Sequence, residues 1–182
     1  MPERPLVVKI GGSVITEKTA PEPTLKVGGL RIVAREVRAV LDMGYSLVLV
    51  HGAGSFGHPI VKEYGLEGGV RDPDQLLAVS RVHETLMELR RSLLTYLREV
   101  GVPAFSMSTS SLVITRGGRL AKAFIDPITM ALRNGFVPLL SGDLVLDEDA
   151  GTAVCSGDQL VFRLALALGA KLIVFGVDVD GV

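Results

Sequence analysis

A chain of 182 residues, 48% of them apolar and only 5% aromatic, is long enough to bury one aliphatic core, and its 21 glycines against 9 prolines suggest tight loops between regular elements, not disorder. A net charge of −1 removes the electrostatic case for binding nucleic acid or an anionic membrane, so any anion site has to be local. The single cysteine, Cys155, excludes an internal disulfide, no apolar run nears the ~20 residues of a membrane span, and Met1-Pro2-Glu3-Arg4 leads into a strand with no signal-peptide core, which together predict a cytoplasmic α/β protein of one domain over 1–182.

Residues 6–10 form a short apolar run that contains Lys9 and is followed by Gly11-Gly12-Ser13. A lysine there either snorkels to solvent or is held over a glycine loop that accepts phosphate. Lys18 follows Val14-Ile15-Thr16-Glu17 and alone reads as a surface lysine. Because Lys9 precedes the glycines, this is not a P-loop of the GxxxxGKS kind. After a proline-containing loop over 19–26, Leu30, Val33, Val37, Val40 and Leu41 recur at helical spacing, and Gly44 closes that helix. A second buried strand covers 46–50, and strand–helix–strand over this length predicts a parallel sheet.

His51-Gly52-Ala53-Gly54-Ser55-Phe56-Gly57-His58 comes next. Its glycines let the backbone turn sharply and leave N–H groups uncovered. Ser55 is placed to cap a helix starting just after it, and His58 adds a side chain able to carry positive charge. The stretch reads as a phosphate cradle at a helix N-terminus or as a tight β–α turn with a surface histidine.

A short helix over 60–64 and a glycine-rich loop over 65–71 lead to Asp72-Pro73, an N-cap and first position for a long helix. Its apolar stripe is Leu76, Val79, Val82, Leu86, Leu89, Leu93, Leu97 and Val100, widened by Met87, Leu94 and Tyr96. That face suits the core and is wide enough to line a pocket for an apolar ligand; His83 on the same helix reads as a surface residue. A strand over 103–107 and a hydroxyl-rich turn over 108–111 precede a hairpin of 112–115 and 119–123 across Arg116-Gly117-Gly118, expected at the rim, where it can act as a lid. Asp126-Pro127 starts a helix that ends at Asn134-Gly135, and 136–140 is a buried strand.

Ser141-Gly142-Asp143 lies at the end of that strand, where open α/β sheets bind ligands. Asp143 is therefore either a working carboxylate or a turn-stabilising residue. A second hairpin, 144–146 with 152–154, crosses Asp147-Glu148-Asp149, read as a solvated acidic turn and not a metal site. Ser156-Gly157-Asp158 opens a helix over 159–168 closed by Gly169, and a last strand over 171–177 reaches Asp178-Val179-Asp180-Gly181-Val182. Gathered on one side of a parallel sheet, these loops offer backbone donors, two lysines, a histidine and one or two aspartates. The set suits phosphoryl transfer, where a protein mainly positions two phosphate-bearing groups and neutralises developing charge.

In order along the chain, Lys9-Ile10-Gly11-Gly12-Ser13, His51-Gly52-Ala53-Gly54, Gly142-Asp143, Ser156-Gly157-Asp158 and Asp178-Val179-Asp180-Gly181-Val182 match motifs of the amino acid kinase superfamily. The resemblance runs from residue 6 to the last. Gly54-Ser55-Phe56-Gly57-His58 and Ser13-Val14-Ile15-Thr16-Glu17-Lys18 most resemble the isopentenyl phosphate kinases within it. The resemblance implies a three-layer αβα sandwich with a mainly parallel central sheet. It also implies ATP-dependent phosphorylation of isopentenyl phosphate to isopentenyl diphosphate in isoprenoid biosynthesis, with Mg²⁺ bound through the ATP phosphates, no protein-held metal, and a homodimer. By the same resemblance Lys9 contacts the ATP phosphates, with Gly11, Gly12, Ser13 and Gly54 around them and Asp178 near the nucleotide. Lys18 stabilises the transferring group, His58 binds the acceptor phosphate, Gly52, Ala53 and Gly157 supply backbone contacts, and Asp143 orients the lysines.

A phosphate acceptor already presents an anionic oxygen and needs no general base; it needs relief from anion–anion repulsion, which lysines, an imidazolium and helix N-termini provide. Two other readings use the same residues: a fosfomycin-kinase-like enzyme acting on another phosphate or phosphonate, and a non-catalytic binding protein on this scaffold. Lys9, Lys18, His58 and Asp143 together argue against the last. Ala53 stands where the family often has glycine, but it keeps its N–H. The resembling proteins continue past the final motif, so the nucleotide lobe is expected to be C-terminally incomplete after Val182, with weak ATP binding.

Overall fold

Strand β1 (Leu6–Ile10) runs into a single helical turn, α1 (Gly12–Ile15), and α2 (Val27–Asp42) returns the chain to β2 (Leu47–His51). The two strands lie parallel, with Val8 opposite Leu49 and Ile10 opposite His51. The chain continues through α3 (His58–Glu63), α4 (Pro73–Glu99), β3 (Ala104–Ser106), β4 (Val113–Arg116), β5 (Arg119–Ala123), α5 (Asp126–Arg133), β6 (Val137–Ser141), β7 (Asp143–Asp147), β8 (Gly151–Cys155), α6 (Gly157–Leu168) and β9 (Leu172–Gly176). This is a computed structural model that describes residues 4–17, 20 and 22–178.

The main sheet has the order β3-β6-β2-β1-β9, and every pairing in it is parallel. Side chains alternate along a strand, so Leu6, Ile10, Leu47 and Leu49 join one core while Val7, Val48 and Val50 join another. The first core closes on Leu30, Val33 and Val37 of α2 and on Leu86, Leu89, Leu93 and Leu97 of α4. The second closes on Ile128 of α5 and on Leu160, Val161 and Leu164 of α6. Burial on both faces explains why these strands are continuous apolar runs, and the result is a three-layer αβα sandwich. Among the described residues no helix is long and apolar enough to cross a membrane.

Local chemistry sets the helix ends. Asp72 accepts the Gln75 N–H at 2.9 Å, and Pro73 takes the first position of α4. Ser156 caps α6 by accepting the Gln159 N–H at 3.2 Å, and Gly169, at φ +59°, ends it. The apolar stripe of α4 is narrower than the spacing suggests: Val82, Leu86, Leu89, Leu93 and Leu97 are buried, while Leu76 and Met87 lie exposed.

Three expectations need correction. Ser55 caps no helix. It lies buried in a short 3₁₀ segment, Gly54–Phe56, where its N–H donates to Thr16 Oγ1 at 3.2 Å and its hydroxyl accepts from Thr24 N–H at 3.3 Å. The first hairpin, expected as a lid at the rim, is instead one half of a sheet of order β5-β4-β7-β8, with β4 parallel to β7 at Thr115 and Asp147. The third concerns Asp147, which is buried and not part of a solvated turn. Its carboxylate accepts N–H groups from Gly117 and Gly118 in one turn (3.2 and 2.9 Å) and from Asp149 and Ala150 in the other (2.9 Å each).

Those donors, Gly118 foremost, hold the Asp147 carboxyl well below the usual carboxylate range. A pKa lower in the folded than in the unfolded chain adds stability that is full above the unfolded value near ~4 and fades as pH falls toward the folded one. Urea unfolding of the wild type and Asp147→Asn should therefore differ more at pH 6 than at pH 2.5. An equal difference at both would remove the charge of Asp147 from the account.

Candidate functional site

The carboxyl ends of β1, β2 and β6 meet the N-terminus of α6, and they meet backbone on backbone. A Cβ on Gly12 would lie 2.5 Å from Gly54 N, one on Gly52 would lie 2.7 Å from Gly12 N, and one on Gly142 would lie 2.9 Å from Gly157 N. Real Cβ contacts do not come this close, so glycine at these positions is a packing requirement. Not every N–H in the loops is free. Gly52 N–H donates to Ile10 O at 2.9 Å, Gly11 N–H to Gly176 O at 2.8 Å and Gly142 N–H to His51 O at 2.9 Å. The N–H of Gly52 is thus committed to the β1 end, and what its missing side chain provides is room.

Lys9 projects from the end of β1, and its Nζ lies 2.9 Å from the Asp158 carboxylate in the first turn of α6. Asp158 is a partner that the sequence reading did not single out. Ser13 Oγ donates to Asp178 Oδ1 at 2.6 Å, and Lys26 Nζ donates to Ser13 O at 2.9 Å, so the turn after Lys9 is tied on both sides. Lys18 lies outside the described residues.

The two histidines of the second loop part company. His58, at the start of α3, is exposed. His51 is fully buried, its Nδ1–H donates to Gly52 O at 3.0 Å, and burial pushes it down to about 4. It is a neutral structural residue near pH 7.

Asp143 opens β7 and is buried, which pushes its carboxyl up; His83, Arg90 and the N–H groups of Ser110 and Leu144 act in the opposite direction. His83, expected at the surface, is half exposed but partnered. Its Nε2–H donates to Leu144 O at 2.8 Å and lies 3.5 Å from Asp143 Oδ1. Arg90 is buried too, with Nη2 donating to Ser141 Oγ at 3.0 Å. A signal for Arg90 was present: it sits four residues after Leu86 and three before Leu93, on the core face of α4. Cys155, also buried, has its thiol pushed up to about 11, so it is an inert wall.

Asp143 and Cys155 help to line a cavity of about 170 Å³. Its lining combines Lys9, Gly12, Gly52, Ala53, His58, Asp143, Gly157 and Asp158 with the apolar side chains of Val61, Val82, Leu86, Leu144 and Val154. The long helix does supply a pocket wall, as its apolar width suggested, and the wall from β7 and β8 belongs to the second hairpin. No residue of the first hairpin lines this cavity, so its expected lid role finds no contact there. A second, more open cavity of about 470 Å³ is lined by Lys9, Gly11, Gly12, Ser13, Gly54, His58 and Val177. The two cavities share Lys9, Gly12 and His58.

The amino acid kinase family profile matches residues 4–182. This chain belongs to the amino acid kinase family. Isopentenyl phosphate kinase of Methanothermobacter thermautotrophicus is 36% identical over 183 residues, 97% of this chain and 68% of that protein. The isopentenyl phosphate kinase of Methanocaldococcus jannaschii is 32% identical over 189 residues, 97% of this chain and 70% of its own length. A solved isopentenyl phosphate kinase superposes with a TM-score of 0.90 at 36% identity, covering 97% of this chain and 74% of that one.

The close approach of the loops is testable by adding one methyl group. Gly12→Ala should cost roughly 1–3 kcal/mol, because its Cβ meets backbone that cannot step aside. Gly28→Ala, in α2 with open space around it, should instead stabilise by about 0.5–1 kcal/mol. Denaturant midpoints of the two variants measure this, and equal effects would show that the packing of Gly12 is not limiting.

Proposed function

We propose that the chain transfers the terminal phosphoryl group of ATP to isopentenyl phosphate, giving isopentenyl diphosphate. The observation that carries this reading is the pair of cavities joined at Lys9, Gly12 and His58, the smaller of which includes an apolar wall. Two phosphate-bearing molecules placed in these cavities meet at the shared residues, which is the positioning that phosphoryl transfer needs. The related isopentenyl phosphate kinases support the same assignment. No observation favours a phosphonate acceptor or a non-catalytic role.

The acceptor takes the smaller cavity. Val61, Val82, Leu86, Leu144 and Val154 cover its five-carbon tail, worth about 0.8 kcal/mol for each buried methylene. Its phosphate lies against His58 and the first turn of α6, where Gly157 contributes its N–H and the helix dipole favours an anion. Ala53 lines the same cavity. The acceptor oxygen is already anionic, so no group here has to remove a proton from it.

ATP phosphates take the open cavity, between Lys9 and the loops of Gly11, Gly12, Ser13 and Gly54, with Asp178 holding Ser13 in place. Lys9 faces both cavities, and its pairing with the mostly exposed Asp158 is weak enough to give way to phosphate. Asp143 fixes the cationic side of the smaller cavity, and Lys18 stabilises the group in transfer. Mg²⁺ is assigned to the ATP phosphates, where it neutralises charge. The reading includes one domain over 1–182, a cytoplasmic location and a homodimer.

The test is direct. With Mg-ATP and isopentenyl phosphate, ³¹P NMR should show diphosphate resonances grow as ATP is consumed; ATP use only with some other acceptor would overturn the assignment. His58→Ala should raise KM for isopentenyl phosphate at least tenfold and leave ATP binding near wild type. Equal losses for both ligands would mean that His58 is misassigned. Lys18→Ala should lower kcat more than it raises KM, because the charge it meets grows in the transition state.

A further inference from the structure

Helix α4 places two nitrogen-bearing side chains, His83 and Arg90, on one face seven residues apart, and both reach the strand end that carries Asp143. Seven residues are two turns, about 10.5 Å along the axis. Helical side chains lean toward the N-terminus, so the guanidinium of Arg90 is carried back toward the level of His83. It ends on Ser141, two residues before Asp143, at 3.0 Å from the hydroxyl. The backbone of Ser141 is held separately: its N–H donates to Thr109 Oγ1 at 3.2 Å, and its carbonyl accepts from the same hydroxyl at 2.6 Å. His83 works from the other side. A carbonyl can only accept, so the 2.8 Å contact with Leu144 O fixes the proton on Nε2; the same nitrogen lies 3.5 Å from Asp143 Oδ1, which accepts no hydrogen bond among the described residues.

We propose that Arg90 and His83 are positioning residues for Asp143: Arg90 holds Ser141, two residues before it, and His83 lies beside its carboxylate, so that the two fix the strand end that carries Asp143 at the acceptor cavity. A fully apolar core position would have been simpler. Arg90 is only 7% exposed and its Nε makes no hydrogen bond among the described residues, so a hydrophobic side chain would suit stability at least as well. What a buried guanidinium supplies that a leucine cannot is a hydrogen bond to Ser141 and a fixed positive charge near the strand end that carries the buried carboxylate. The remaining groups that face Asp143 do not provide such a charge. Cys155 of β8 is an un-ionised thiol, His51 of β2 is neutral, and the N–H groups of Ser110 and Leu144 contribute dipoles only. Lys9 lines the same cavity but is paired with Asp158. The inference rests on the reading that Asp143 works in the transfer site, and the test separates the two.

Carboxyl ¹³C titration of the full chain, with Asp143→Asn used to identify the resonance, reads the ionisation of Asp143 without turnover. In Arg90→Met that resonance should titrate about one pH unit higher than in the wild type, a tenfold change in its ionisation constant. The acid limb of kcat should move the same way, with kcat about tenfold lower, KM for ATP little changed, and Arg90→Lys recovering part of each. His83→Leu should give a smaller shift, since His83 is half exposed, and His83→Gln, which keeps an N–H donor, should give less still. If Arg90→Met titrates and turns over like the wild type, the positioning role falls while that of Asp143 stands. If Arg90→Met does not fold, unchanged titration in both Arg90→Lys and His83→Leu overturns it equally. Wild-type turnover by Asp143→Asn would remove the role of Asp143 itself, and the positioning proposal with it.

Discussion

Everything at the site depends on how closely three loops approach one another. Gly12 lies against Gly54, Gly52 against Gly12, and Gly142 against Gly157, each at a distance that leaves no room for a methyl group. Packing of this kind brings the ends of β1, β2 and β6 and the start of α6 to one point without intervening side chains. Lys9 and His58, which leave these loops, can then face one another across two cavities. Larger residues at the contact would separate the strand ends, and a phosphate spanning them would lose donors from one side or the other.

The charge balance follows from the same compactness. A chain with net charge −1 has no general attraction for anions, so binding must come from a few cations and dipoles concentrated at one point. Lys9, His58 and the N-terminus of α6 are concentrated there. Their carboxylate partners differ in kind. Asp158 is exposed and holds Lys9 loosely, as a placeholder that a ligand can displace. Asp143 is buried, and a buried carboxylate left alone would take up a proton. His83 and Arg90 of α4, with the N–H groups of Ser110 and Leu144, act against that tendency.

Periodicity made the fold legible, because strands buried on both faces leave continuous apolar runs and α4 carries its own cap in Asp72-Pro73. The glycines of the loops were legible as a cluster, but for a partly different reason than the one the structure gives. The sequence suggested uncovered N–H groups, whereas Gly52 and Gly142 spend theirs on neighbouring strands and are glycine because backbone presses on them. Residues whose role depends on what lies across a gap were not legible. His83 looked like surface because it is polar, yet β7 lies opposite. Asp147 looked like an exposed turn because two more acids follow it, yet the turn of the other hairpin packs over it. Ser55 has capping chemistry but spends it on Thr24 and Thr16. In each case the residue type was informative and the missing term was a contact between segments far apart in the chain.

One helix contributes twice to this region. Val82 and Leu86 of α4 form part of the apolar wall, while His83 and Arg90 on the same helix address the strand end that bears Asp143. The faces overlap because the residues lie within about two turns, and α4 is anchored along its length by Leu89, Leu93 and Leu97. A tail that seats against Val82 and Leu86 therefore registers the acceptor against the same rigid element that fixes the carboxylate. Distances between tail, phosphate and Asp143 are then set by one helix and not by the sum of several loops. Sites carried on regular elements hold their geometry more tightly than sites assembled from loops alone, and here the glycine loops only have to bring the phosphates in.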